Sequence, residues 1–263
     1  MIVAASHDNS VLQGGIGSGR SKPPGRVDVE PIAWLTPNGV WKRILCDENH
    51  PKECKRFKQE YLSKPHTYSV ISADGRGATV NVVQMDLDKD CFGYGGEGTT
   101  SGASISYAAV AADSIEFFAS GAPASRLTDT DAVPIRKALA ATAREKLDSV
   151  KAIRVYSVEL EGQHFFLVQR AFQDFVNRKD YDPHEDLSLI FAVGTMGKGG
   201  FHLLMWKEDT VDDNEQVLGL VHLKNGRDFL ITTTSDPESQ HFRIYGMRDG
   251  KLAIVFEGGG GGC

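Results

Sequence analysis

Beyond Ala152 the chain repeats one texture: an apolar run of strand length, a short turn signal, and another run. The runs are "AIRVYSVELEG", "QHFFLVQRAF", "LSLIFAVGTMGKGG", "FHLLMWKED", "QVLGLVHLKNG", "RDFLITTTSD", "QHFRIYGMRDG" and "KLAIVFEGG". Several are joined by Glu161-Gly162, Gly199-Gly200, Asn225-Gly226 or Asp249-Gly250. Such pairs supply the left-handed backbone that tight hairpins need, and two-residue links join antiparallel strands only. With few helix signals among them, these runs restrict the segment to an antiparallel meander of about eight strands.

The meander carries a possible internal repeat. "VELEGQHFFLVQRAF" is matched by "VHLKNGRDFLITTTS", and "IFAVGTMGKGGFHLLMWK" by "IYGMRDGKLAIVFEG". Each pair of hairpins would make a four-stranded antiparallel unit; that hairpins in general look alike is the competing explanation. At "LGLVHLKNGRDFLITTTSDPESQHFRIYGMRDGKLAIVFEGG" the sequence resembles one blade of the FG-GAP or VCBS type, over residues 218–259. The resemblance implies antiparallel sheet and an exported setting. It does not extend to calcium, because the Asp-rich loop of those blades is replaced here by Lys224-Asn225-Gly226-Arg227-Asp228, in which only Asp228 is a suitable oxygen ligand. Two blades also cannot close a propeller.

The N-terminal part mixes hairpins and helices. "IAWLTPNGVWKRILC" is two apolar runs about Pro37-Asn38-Gly39, and "HTYSVISADGRGATVNVVQMDLD" two more about Asp74-Gly75. "NHPKECKRFKQEYLSK" reads as a short helix capped by Asn49. "LTDTDAVPIRKALAATAREKLDSV" is the strongest helix, with Asp131 as its expected N-cap and Ile135, Leu139, Ala143 and Leu147 as its buried stripe. The expected fold is therefore β-rich α+β: an antiparallel meander of propeller-like or sandwich-like hairpin units plus two helices. Residues 1–27 are expected to be a Gly/Ser/Pro-rich tether, 28–150 an α+β half and 151–263 the meander, the two halves sharing one core.

Charge and cysteines bear on the setting. The net charge is −6 and the longest basic run, around Lys52, Lys55, Arg56 and Lys58, is interleaved with Glu53 and Glu60. Nucleic acid is excluded as the main partner, since phosphate binding needs concentrated cations. No apolar run reaches the length of a membrane span, so no transmembrane segment is expected. "MIVAAS" lacks a basic n-region, and a chain whose export signal is absent is the expectation. Four cysteines, Cys46, Cys54, Cys91 and Cys263, allow three pairings. Cys46–Cys54, close in sequence, and Cys91–Cys263, both beside glycines that let the backbone meet disulfide geometry, are the favoured pair. The second would close a loop of most of the chain and stabilise the fold by roughly 4–5 kcal/mol on the chain-entropy account. Free thiols in a reducing compartment are the alternative, and the tail "GGGGGC" could then be an appended label.

No motif fixes a reaction. In "DLDKDCFGYGGE", Asp86, Asp88, Asp90 and Glu97 hold relative positions 1, 3, 5 and 12 of an EF-hand-type calcium loop, although Cys91 stands where that loop needs glycine. A polar hairpin end is the plainer reading of the same residues. His164, His202, His222 and His241 fall in strands, and Asp182, His184 and Asp186 in one loop. Tyr94, Trp206 and His184 are candidate contacts for a glycan or protein partner, because aromatic rings on a rigid sheet stack on sugars and anchor interfaces. The leading reading is an exported, periplasmic or extracellular, non-catalytic binding or structural module with no cofactor beyond that possible calcium. Two others stay open: a hydrolase of an extracellular polymer whose carboxylates and histidines meet only in the fold, and an envelope inhibitor or immunity-type protein.

Overall fold

The computed structural model describes residues 2–6, 25–36, 39–43, 50–57, 59, 66–71, 77–88, 93–101, 108–111, 115–120, 127–140, 154–170, 189–209, 214–223, 225–235 and 240–258. Antiparallel sheets dominate it, with two helices, and the chain divides into two compact units: residues 1–121 with 217–263, and residues 122–216.

In the first unit, strands β1 (Ile2–Ser6), β2 (Arg26–Leu35), β3 (Trp41–Lys42), β4 (His66–Ile71), β5 (Gly77–Asp88), β6 (Gly93–Ser101) and β7 (Ala108–Ala111) form a sheet in the order β1-β7-β4-β5-β6-β2-β3. Strand β1 also pairs with β2, so the ladder returns on itself from β2 to β1. Ile2–Ser6 lies within the segment expected to be a tether. Five residues carry little local signal, and here β2 on one side and β7 on the other supply the pairing that holds them as strand. Arg26 and the buried Val27, at the other end of that tether, belong to β2, and residues 1 and 7–24 lie outside the described residues. The expected short helix is α1 (Pro51–Phe57).

The same unit contains a second sheet, β16-β15-β14-β13-β8, from β8 (Ile115–Ser120), β13 (Asn214–Leu223), β14 (Asp228–Ser235), β15 (Gln240–Arg248) and β16 (Lys251–Gly258). The pairing of β8 with β13 sets Phe118 opposite Val221 across about a hundred residues of chain. The core of this unit is built from Ala33 and Trp41 of the β2–β3 hairpin and from Val221, Leu223, Phe229, Ile231, Phe242, Ile244 and Phe256. The Trp41 ring stands edge-on to Phe229, with centroids 5.3 Å apart. A Cβ on Gly246, directly opposite Phe229, would lie 2.8 Å from the Phe229 ring, so only glycine leaves that ring its place.

The second unit holds β9 (Arg154–Leu160), β10 (Gln163–Arg170), β11 (Leu189–Gly197) and β12 (Gly200–Asp209) in the order β12-β11-β10-β9, with α2 (Asp129–Ala140) on one face. Ala132, Ile135 and Leu139 recur at helical spacing and bury against Val155, Val168, Ile190 and Ala192. The N-terminus of α2 is one turn earlier than expected. The Thr128 hydroxyl accepts from the Asp131 amide at 3.2 Å and donates to the Asp131 carboxylate at 2.6 Å, so Thr128 is the cap and Asp131 its partner. Ala143 and Leu147 of the expected stripe lie outside the described residues.

The strand register bears on the expected repeat. In β11–β12, Val193 pairs with Met205 and Gly194 with Leu203, leaving Leu204 as an extra, bulged residue. In β15–β16, Ile244 pairs with Phe256 and Tyr245 with Ile254, leaving Val255 bulged. A shift of 51 positions takes 193, 194, 203 and 205 to 244, 245, 254 and 256, bulge included. The first hairpins also correspond: Val158, Leu160 and Phe165 are buried as Val221, Leu223 and Phe229 are. Hairpins in general do not share a bulge at one position, and bulges are placed features of a fold. The hairpins β11–β12 and β15–β16 thus share a register and a bulge, and each ends a run of four antiparallel strands, β9–β12 and β13–β16.

Gly246→Ala is expected to destabilise the protein by about 1–3 kcal/mol through overpacking against Phe229. Gly194→Ala is expected to do the same, because its Cβ would enter the Phe201 ring and sit 2.6 Å from the His202 carbonyl oxygen. Urea unfolding followed by tryptophan fluorescence measures both. A loss for Gly250→Ala as large as for these two would mean that turn strain, and not ring packing, sets the cost, since Gly250 has open space around it and a φ of 72°.

Candidate functional site

The link between β13 and β14 is the place where the described structure gathers chemically capable side chains most closely. Leu223 N–H donates to the Arg227 carbonyl at 2.9 Å, Gly226 N–H to the Leu223 carbonyl at 2.8 Å, and Arg227 N–H to the Asn225 side chain at 3.2 Å. Gly226 takes the left-handed conformation, with φ 80°, that the turn demands. This closure brings His222, the next-to-last residue of β13, against Asp228, the first of β14, with Nδ1 of the ring on Oδ1 of the carboxylate. The Asp228 side chain is 11% exposed and that of His222 37%.

Arg227 fastens the same hairpin end to its surroundings. Its guanidinium stacks over the Phe229 ring at 4.9 Å from the centroid and donates to the Gly39 carbonyl at 3.1 Å. Gly39 is held in turn by its amide on the Thr36 carbonyl, in a loop that Val40 N–H closes on the Thr36 hydroxyl. The β2–β3 loop and the β13–β14 loop are therefore joined through one cation and one carbonyl, above the Trp41–Phe229 contact.

An imidazole whose Nδ1 faces a carboxylate is fixed in tautomer and orientation, and its Nε2 becomes the atom turned away from the pair. That is half of what general acid–base chemistry requires. The other half is a group or water at hydrogen-bond reach of Nε2 in a bound complex. The equivalent position of the first repeat also carries an acid and an imidazole with the roles exchanged: Glu159 on β9 and His164 on β10, at 3.4 Å. There both side chains are mainly exposed, at 59% and 70%, so screening leaves the pair little energy.

Other charged residues serve as struts between strands. Arg243 and Glu257 stand directly opposite each other on β15 and β16 and pair at 2.6 Å. Within residues 122–216, Lys207 of β12 reaches Glu215, near the start of β13, at 3.1 Å, and the Glu215 side chain is almost wholly buried. Arg243–Glu257 was not legible in sequence, because it depends on the register of β15 and β16.

The expected site residues are distributed as follows. Asp86 and Asp88 lie in strand β5, opposite Gly95 and Gly93 of β6, and Glu97 lies in β6 opposite Gln84. These are hairpin positions; Glu97 is exposed and pairs with Arg26 at 3.6 Å. Asp90 lies outside the described residues, among which no group of three potential metal ligands converges. Tyr94 is in β6 opposite Leu87. Trp206 is half-buried at the margin of the α2 core and packs there. Cys54 is in a disulfide bond. Cys46, Cys91, Cys263 and His184 lie outside the described residues, as do Asp182 and Asp186. His202 and His241 are exposed strand residues.

His222→Ala removes one partner of a mostly buried carboxylate and is expected to cost about 1–3 kcal/mol. A double-mutant cycle with Asp228→Ala should return a coupling of about 0.5–3 kcal/mol, while the same cycle on Glu159 and His164 should give less than about 1 kcal/mol. Lys207→Met strips a buried carboxylate of its ammonium and should cost about 3 kcal/mol, with much of the loss recovered in Lys207→Met/Glu215→Leu. Chemical denaturation midpoints decide all three.

No protein-family model matches the chain, and neither does any curated protein or any solved structure.

Proposed function

We propose that the protein is an exported, non-catalytic binding or structural module built on blade-like β-repeats. The observation that carries this reading is the shared register of β11–β12 and β15–β16, bulge included. Repeats of four antiparallel strands are the unit of propeller-type scaffolds, which present loops and strand edges to partners while the sheets stay rigid. The blade-like stretch at residues 218–259 agrees with it. The disulfide at Cys54 supports an oxidising compartment, since such bonds persist there and are rare in the cytosol. The pairing proposed is Cys46–Cys54 together with Cys91–Cys263.

The second reading, a hydrolase, rests on the His222–Asp228 pair. A half-exposed imidazole oriented by a buried carboxylate is a recognised element of acid–base catalysis. It is placed second because Arg243–Glu257 is a charged pair that braces two strands of the same sheet.

Two measurements separate the readings. Intact mass with and without reduction, followed by peptide mapping, should show the loss of four hydrogens and a Cys46–Cys54 cross-link; four free thiols in protein prepared from its native compartment would remove the exported reading. Turnover of chromogenic ester, phosphate and glycoside substrates should be the same for the native protein and for His222→Ala. Turnover that His222→Ala abolishes while the fold survives, as judged by circular dichroism, would establish the hydrolase instead.

A further inference from the structure

The turn that closes His222 on Asp228 carries a chemically labile pair, Asn225-Gly226. Both residues are exposed. In an asparagine–glycine pair the backbone nitrogen of the glycine can attack the side-chain amide carbon of the asparagine, because no Cβ on the following residue stands in the way. The space is open here: a Cβ on Gly226 would meet nothing within 4 Å.

The asparagine side chain is also held over its own backbone. Arg227 N–H donates to Asn225 Oδ1 at 3.2 Å. The ring closed by that hydrogen bond contains both the Asn225 Cγ and the Gly226 nitrogen, so electrophile and nucleophile are kept within one small loop. A donor on Oδ1 stabilises the negative charge that gathers on this oxygen when Cγ is attacked. One contact opposes the reaction. Gly226 N–H donates to the Leu223 carbonyl at 2.8 Å, which occupies the nucleophile while the turn is closed.

We infer that Asn225 is a site of spontaneous deamidation, gated by opening of the β13–β14 turn. Opening releases Gly226 N–H from the Leu223 carbonyl. Its proton passes to a solvent base, the Gly226 nitrogen bonds to Asn225 Cγ, and the Cγ–Nδ2 bond breaks, with Nδ2 leaving as ammonia. Water then adds to either carbonyl of the succinimide and gives aspartate or isoaspartate at position 225. Water is the co-reactant, and nothing is oxidised or reduced. Both products place a new negative charge in the turn that precedes Asp228. In isoaspartate the main chain also runs through Cβ and Cγ, one methylene longer between Leu223 and Arg227. Leu223 N–H and the Arg227 carbonyl close the turn at 2.9 Å, and the added length breaks that closure. The imidazole–carboxylate pair depends on the same closure. The modification therefore acts on the His222–Asp228 pair without altering either residue.

Incubation of the full, oxidised chain at mildly alkaline pH, followed by cleavage at glutamates and mass mapping, tests the proposal. The peptide containing Asn225 should gain the mass of an amide-to-acid exchange and separate into two forms, one of them a substrate for an isoaspartyl methyltransferase. Asn225→Gln, whose longer side chain disfavours the cyclic intermediate, should lose that gain. His222→Ala loosens the closed turn and should speed conversion at least about threefold. The urea-unfolded chain should convert faster still. The isolated isoaspartyl form should unfold at lower urea than Asn225→Asp, which carries the charge without the added methylene. A folded chain that does not convert at Asn225 while the unfolded chain does, or conversion confined to Asn38-Gly39, overturns the site. Equal rates for the native chain and His222→Ala overturn the gating, and an isoaspartyl form as stable as Asn225→Asp overturns the effect on closure.

Discussion

Phe229 organises the larger unit because three different forces fix one ring. Gly246 opposite it leaves the space, Trp41 packs edge-on against it, and the Arg227 guanidinium lies over its face. Edge-to-face and cation–π contacts have defined geometries, so they restrict orientation more than a simple aliphatic contact would. The consequence is positional. With the ring fixed, Arg227 can reach Gly39 and tie the β2–β3 loop to the β13–β14 loop, and Asp228 is held beneath His222. The Trp41 indole nitrogen is buried without a hydrogen-bond partner among the described groups. The packing of its ring on Phe229 has to outweigh that desolvation, which further marks this contact as the one the neighbouring structure depends on.

The two repeats show what one backbone plan can do with different side chains. In both, a valine, a leucine and a phenylalanine of the first hairpin are buried, and the fourth strand bulges at one equivalent place. On the opposite face they diverge. In β9–β12 that face carries Val155, Val168 and Ala192 and receives helix α2. In β13–β16 the corresponding face carries Asp228, Leu230, Thr232, Thr234 and Tyr245, all buried. Buried hydroxyls and carboxylates need directional partners, where buried aliphatics need only close packing. The first face packs a helix through its aliphatic residues while also burying Arg170, and the second, which includes Leu230, carries the imidazole–carboxylate pair.

The strands were legible because their signals are local. Glu161-Gly162 and Asp249-Gly250 both adopt left-handed backbone at each residue, as the hairpin reading required, and all eight expected strands of the meander are present. Pairing between distant segments was not legible. Nothing local in "IEFFAS" indicates that β8 would lie beside β13, nor in "IVAAS" that it would join β2 and β7. The helix cap was misplaced by one turn for a related reason: Thr128 and Asp131 both suit a cap, and only the reciprocal hydrogen bonds between them distinguish the roles. The histidine pairing follows the same rule. His222 and Asp228 were each visible in sequence, but their contact depends on how the four residues between β13 and β14 close.

Burial separates the two acid–imidazole pairs from each other. Glu159–His164 and His222–Asp228 are the same chemical pair at the same repeat position. In the first, water screens both groups and either can leave the other at little cost. In the second, the carboxylate is withdrawn from water, so it orients the imidazole beside it and the interaction is expensive to break. Orientation of this kind is a prerequisite for acid–base work and equally for holding a hairpin closed. The two uses differ in what lies beyond Nε2: catalysis needs a reacting group brought to that atom by a bound substrate, whereas closure needs nothing further. The Arg227–Gly39 link already restrains the same hairpin from its other side. With the hairpin so restrained, closing it alone would not need a half-exposed histidine, and this gives the pair its place as the second reading even in a protein whose remaining charged pairs act as struts.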